Sequence, residues 1–371
     1  MRILVAPDKF AGTLTATEAA AAIGAGWTRT APDDELELVP LSDGGPGFLE
    51  VMHTSLGGEL SAVTVTGPLG DRVPAGVLVH ERTAYVESCE ATGLHLVAAE
   101  DRDPERATSY GVGELIAAAL DTGVRRVVVG LGGSATNDGG AGALAALGAE
   151  PQDRLREGGA ELADLDHVDL DVARDRLEGV ELVVATDVDA PLLGDSGATH
   201  GFATQKGADR TTRDRLEVAM RTWAGLTDGA VAVRPGAGAA GGLGAGLIAF
   251  LDARLVSGSA LVLDAVAFDR RLVGADLVMT GEGRIDGQSI YGKLTHAVTV
   301  AARRRGIPVV AVAGTIGRGH AAMREAGIEA IETLAGDADA ERDAAMRDPL
   351  PRIEDAAERL VRARAAARGS G

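Results

Sequence analysis

Three glycine-rich segments hold most of the residues that could do chemistry: 130–142 (GLGGSATNDGGAG), 236–246 (GAGAAGGLGAG) and 281–293 (GEGRIDGQSIYGK). Two of them follow a predicted strand and precede a predicted helix, so backbone N–H groups and a helix N-terminus can converge there on an anion, phosphate being the obvious one. Glycines of this kind can also serve only tight turns and close helix packing, but three such segments, two of them carrying polar or charged residues, favour a ligand. Of 36 basic residues only Lys9, Lys206 and Lys293 are lysine, and each lies beside a glycine or at a strand end. A compact ammonium reaches phosphate or carboxylate oxygens as a point charge where an arginine fork does not fit. The complementary acids at strand ends are Asp8, Asp43, Asp138, Asp187, Asp189, Glu282 and Asp286. Phosphoryl transfer needs a carboxylate for Mg²⁺, another to orient or deprotonate the attacking hydroxyl, and cations with N–H groups to carry the phosphate charge. Asp187 is the hardest of these to read as a turn former, because it directly follows the apolar run Leu182–Thr186.

Other chemistries fit poorly. Gly287 to Lys293 matches G-x-x-x-x-G-K, but Leu294 stands where a P-loop has the Ser or Thr that holds Mg²⁺, and the loop begins well after its strand. The seven histidines show no H-x-x-x-H spacing, Ser134 lacks a nucleophile elbow, and Cys89 lies between Glu87 and Glu90, which disfavour its thiolate. A net charge of −19 with 2 Trp, 3 Tyr and 5 Phe gives neither a basic footprint nor stacking platforms for nucleic acid, and an anionic membrane is an equally poor partner. One cysteine permits no internal disulfide, which points to the cytoplasm. The N-terminal apolar run is too short for a signal peptide, and the uncharged stretch from Pro235 to Leu251 is too short and too rich in Gly and Ala to span a membrane.

The elements that must position these residues alternate between short apolar strands and Ala-rich helices, over a length of 371 residues that suits about two domains. Strands are predicted at Ile3–Ala6, Leu36–Leu41, Val127–Gly130, Leu182–Ala185, Leu277–Thr280, Val309–Val312 and Ala330–Leu334. Helices are predicted at Thr15–Thr30, Val112–Thr122, Ala141–Leu147, Arg210–Ala224, Leu294–Arg305 and Arg352–Ala367, the first opened by a Thr15/Glu18 capping box. Residues 62–66, 75–80 and 83–88 read instead as an antiparallel meander. With 59–270 set aside, five strands alternating with helices remain. The expected architecture is therefore a flavodoxin-like parallel-sheet domain made of 1–58 and 271–371, with a second mixed α/β domain, 59–270, inserted.

The ordered motifs APDKF, LSDGG (41–45), the 130–142 loop, ATDVDAPL, QKGA, PGAGAAGG and TGEGRIDGQS together resemble the type 1 glycerate kinases, from Met1 to about Leu334. The resemblance implies ATP- and Mg²⁺-dependent phosphorylation of D-glycerate to 2-phosphoglycerate, with substrate held in a cleft between the two domains, and it leaves homodimer formation open. Carried over by motif, it implies Asp187 as the base or orienting carboxylate. Asp43, Asp187 and Asp286 become Mg²⁺ or substrate contacts, and Lys293 and Arg284 stabilise charge. Asp8, Lys9, Gly44, Gly45, Gly132, Gly133, Ser134, Thr136, Asn137, Lys206 and Glu282 contact substrate or nucleotide. The chain departs from the family pattern at Ala11, where a lysine is usual, at Pro46 and Phe48 of a motif that usually reads DGGEGT, and at Leu294–Thr295, where the family has x-Pro. A kinase of the same fold acting on another small hydroxy acid, or a catalytically weakened ligand-binding homologue, are the alternatives these changes raise.

Overall fold

The computed structural model describes residues 1–10, 12–227, 229–287, 294–336 and 339–369. The chain divides into two compact units, Met1–Asp43 with Ser259–Gly371, and Gly44–Gly258. The boundaries expected at 58/59 and 270/271 thus move to 43/44 and 258/259, and local packing gives the reason. Phe48 is fully buried with its ring 6.2 Å from that of Tyr85, which ties the helix Phe48–Leu56 to the second unit. Asp269 Oδ1 lies 3.5 Å from Arg305 Nη2, and Arg271, paired with Glu37, donates its Nε to the carbonyl of Val266 at 2.7 Å, which ties the segment before residue 271 to the first unit.

The first unit holds a wholly parallel five-stranded sheet of β1 (Arg2–Val5), β2 (Glu35–Leu38), β9 (Leu277–Ile285), β10 (Val309–Ile316) and β11 (Ile328–Thr333), in the order β2-β1-β9-β10-β11. Numbered within the unit this is 2-1-3-4-5, the flavodoxin order, so the expected five-strand sheet is observed. Its central strands β1 and β10 and the first half of β9 are almost continuously apolar because both faces are covered, whereas the edge strands β2 and β11 are interrupted by Glu. On one face the helices Ala16–Thr28 and Pro349–Gly369 pack so tightly that a Cβ at Gly26 would lie 2.1 Å from the carbonyl oxygen of Glu354. The capping box holds as predicted: the Thr15 side chain accepts from Glu18 N and Glu18 accepts from Thr15 N. Such a cap stabilises a helix by about 1 kcal/mol.

The second unit holds a six-stranded sheet in sequential order: β3 (Glu59–Thr66), β4 (Arg72–His80), β5 (Thr83–Glu87), β6 (Arg126–Gly130), β7 (Glu181–Ala185) and β8 (Arg254–Val256). The meander β3-β4-β5 is antiparallel as expected, and β5 through β8 are parallel. β8 was not expected, being three residues long and dependent on β7 for its pairing. Val127, Val129, Leu182 and Val184 are buried in this unit's core together with Leu115, Leu144, Leu243 and Trp223. Among the described residues no helix is long and apolar enough to cross a membrane.

Candidate active site

In open parallel sheets ligands bind outside the carboxyl ends of the strands, at the point where the connections run in opposite directions. In the first unit that point lies between β1 and β9. The backbone pairing continues past β1, with Asp8 N donating to Gly281 O at 2.8 Å, so Asp8 is fixed against Gly281 of the neighbouring strand β9. Lys9 follows it. Its Nζ donates to Asp43 Oδ1 at 2.8 Å and to Asp8 Oδ1 at 3.5 Å, while its backbone N donates to Asp8 Oδ1 at 2.7 Å. Burial pushes the Asp8 carboxyl up to about 7; the Lys9 ammonium opposes this, and the charges of Asp43 and Glu282 add to it. Lys9 itself is held above the usual lysine range, because the attraction of Asp8 and Asp43 outweighs its own burial. One ammonium thus serves several carboxylates. Further along β9, Arg284 Nε donates to Asp286 Oδ2 at 2.8 Å, so these two proposed site residues are paired with each other. Lys293 and Ala11 lie outside the described residues.

In the second unit the carboxyl ends of β6 and β7 are packed backbone to backbone with the Gly44–Pro46 loop. A Cβ at Gly44, where φ is +90°, would sit 2.7 Å from Ala185 O, and one at Gly132 would sit 2.9 Å from Gly45 Cα. Asp187 emerges two residues after β7 and its Oδ1 accepts from Ser257 Oγ at 2.7 Å, a partner supplied by the turn after β8. Ser257 was missed in the sequence because β8 was. Val188 lines a pocket of about 140 Å³ whose walls include Gly132, Gly133, Ser134 and Lys206.

Lys206 is buried, and its ammonium donates to Ser134 Oγ (3.1 Å) and to Thr136 O (2.6 Å). Burial lowers its pKa to about 7, against a smaller opposing pull from Asp138. Two neutral oxygens do not repay the desolvation of a cation as a carboxylate does. Thr136 and Asn137 are fully buried, with Asn137 Nδ2 donating to Thr199 Oγ1 at 3.1 Å, so they shape the loop from within. Asp138 does not join the strand-end carboxylates. It is fully buried and accepts from Ser109 N and Oγ, both at 2.7 Å, and from Gly140 N and Gly142 N, both at 3.2 Å, which fastens the loop to its following helix. The 236–246 segment likewise has a packing role, since a Cβ at Gly241 would lie 1.9 Å from Thr136 O. Glu87, noted in the sequence only beside Cys89, accepts from Gly47 N (3.0 Å) and Leu49 N (2.9 Å) and so anchors the end of the Gly44–Gly47 loop. Cys89 is buried and donates to Glu87 Oε1 at 2.8 Å, a structural position.

Residues 3–365 match the model of the glycerate kinase family. The chain is 45% identical over 342 residues to a glycerate kinase of Halalkalibacterium halodurans, covering 90% of each chain. It is 41% identical over 341 residues to the glycerate 2-kinase of Escherichia coli, covering 89% of this chain and 90% of the other. A crystal structure assigned as a glycerate kinase 2 from Salmonella typhimurium LT2 superposes with a TM-score of 0.81 at 38% identity, covering 100% of this chain and 99% of that one. Two units whose strand ends carry carboxylates and lysines, and a family match over nearly the whole length, lead to one conclusion: this chain is a phosphotransferase and belongs to the glycerate kinase family.

Proposed function

We propose that the protein transfers the γ-phosphoryl group of ATP to D-glycerate, giving 2-phosphoglycerate, with Asp187 orienting or deprotonating the attacking hydroxyl. The observation that carries this reading is that Asp187, tethered by Ser257, is followed by a residue that lines a pocket of about 140 Å³, a volume suited to a three-carbon acid. Gly132, Gly133 and Ser134 on the wall of that pocket offer backbone and hydroxyl contacts to an anion. Lys206 acts one step back, by holding Ser134 and the Thr136 carbonyl in place. In the first unit Asp8, Lys9, Asp43 and Glu282 form the charged group at the strand ends, with the Arg284–Asp286 pair beyond it.

Mg²⁺ would be held by Asp43 or Asp187 and would neutralise phosphate charge. Among the described residues no three His, Cys, Asp or Glu side chains form a ready cage, which suits an ion bound through one or two carboxylates together with phosphates and water. Incubating the protein with ATP, Mg²⁺ and D-glycerate should yield ADP and 2-phosphoglycerate; absence of turnover above background would remove glycerate as the acceptor.

A second acceptor among small hydroxy acids has one observation in its favour. A Cβ at Gly133, a wall of the pocket, would meet Pro46 Cγ at 2.8 Å, so the unusual proline shapes that wall. Phe48, by contrast, is a buried core residue and does not bear on acceptor choice. A panel of hydroxy acids under the same assay separates the two readings by their relative kcat/KM.

A further inference from the structure

The strand ends of the first unit hold a second feature that none of the residues assigned so far belongs to. Beyond the carboxyl ends of β10 and β11 lies a pocket of about 620 Å³, bounded by Thr315, Gly317, Arg318, His320 and Thr333 on the strand and turn side and by Arg342 from the helix Asp339–Arg347. In a chain of net charge −19 this pocket brings three basic side chains together. Among the described residues Asp286 pairs with Arg284 (2.8 Å), Glu332 pairs with Arg359 (2.7 Å), and Glu341 accepts from the backbone N–H of Gly336 (2.8 Å).

The turn carrying the cations is firmly placed. Gly317 N donates to Ile285 O at 2.8 Å, Gly287 N donates to Arg318 O at 2.9 Å, and His320 Nδ1 donates to Gly317 O at 3.1 Å. Gly319 is required there, because φ is +79° and a Cβ would lie 3.0 Å from Gly287 Cα. The side chain of Arg318 is exposed on this turn and is paired with no carboxylate among the described residues. Guanidinium groups present planar forks that match phosphate oxygens. The volume lies within the range of about 300–1,000 Å³ typical of small-molecule sites, and it far exceeds what a three-carbon acid fills.

We infer that this pocket binds the polyphosphate of the nucleoside triphosphate donor, with Arg318 and Arg342 as its anion contacts. The inference rests on the proposed kinase reaction and adds to it the place where the donor is bound.

The test is titration calorimetry with ADP and with inorganic tripolyphosphate, alongside steady-state kinetics, on wild type, Arg318→Gln, Arg342→Gln and the double variant. Each single change should raise the ADP Kd and the KM for ATP about tenfold, the usual scale of one lost charge-assisted contact, with the KM for D-glycerate unchanged. A double variant that binds ADP and tripolyphosphate as tightly as wild type would overturn the inference. So would a rise in the glycerate KM with ADP binding intact, which would make this the acceptor's pocket. If wild type fails to phosphorylate D-glycerate yet loses ADP binding in the double variant, the donor site stands and the glycerate reading falls. Should the double variant have a lowered Tm, Arg318→Gln is read alone, since that side chain is exposed on a turn.

Discussion

Lys9 and Lys206 were alike in the sequence, two of three lysines in an arginine-rich chain, and the two units treat them in opposite ways. Lys9, in the first unit, has Asp43 at 2.8 Å and Asp8 at 3.5 Å and is held charged. Lys206, in the second, is sealed among neutral oxygens and its proton affinity falls to about 7. The difference shows that a lysine beside a glycine loop is not one kind of device. With carboxylate partners it is a persistent charge available to anions, and without them it is a hydrogen-bonding brace whose charge is expensive.

Four experiments press on that contrast, from the largest expected effect downwards. Asp187→Asn should lower kcat by about 100-fold or more, the lower end for loss of a positioned base, with the Tm unchanged. Full activity in that variant would move the proton-handling role to the first unit. Lys206→Met should cost about 2 kcal/mol of stability, because Ser134 Oγ and the Thr136 carbonyl lose their buried donor. For a unit of this size that is a fall in Tm of several degrees, readable by calorimetry. An unchanged Tm together with a raised glycerate KM would make Lys206 a ligand contact and erase its difference from Lys9.

Lys9→Met should cut kcat/KM about tenfold with a smaller change in Tm, since its partner Asp43 is more than a third exposed and solvent screens the pair. A collapse of Tm instead would make Lys9 the structural lysine. The smallest effect is in pH. The folded pKa of Lys206 lies below the ordinary 10.5, so between about 7 and 10.5 the unfolded chain holds a proton that the folded chain lacks. Stability should therefore rise with pH through that window. From pH 7 to pH 8 wild type should gain about 1 kcal/mol relative to Lys206→Met. A flat difference would mean that Lys206 stays charged when buried.

The periodic features were open to reading because they depend on neighbours in the chain. The Thr15/Glu18 cap, the five strands of the first sheet and the β3-β5 meander all appear as expected. That Asp187 follows a buried strand was also legible, since the end of an apolar run is visible without knowing what faces it. Ser257 was not, because β8 is too short to announce itself. Asp138 was misread because a buried acid satisfied by Ser109 and two backbone amides has the same sequence signature as one waiting for a metal. Arg318 and Arg342 drew no notice among so many arginines.

The sequence by itself determined the layered α/β fold and the parallel and antiparallel parts of the sheets, since hydrophobic period and turn chemistry act over a few residues. Only the tertiary structure decided where the units divide, which glycines serve packing, that Lys9 is held charged by carboxylates while burial lowers the pKa of Lys206, and that two arginines on separate elements share one pocket. Those outcomes depend on burial and on partners far away in the chain, 72 residues between Lys206 and Ser134 and 271 between Arg2 and Val273, and no local pattern encodes them.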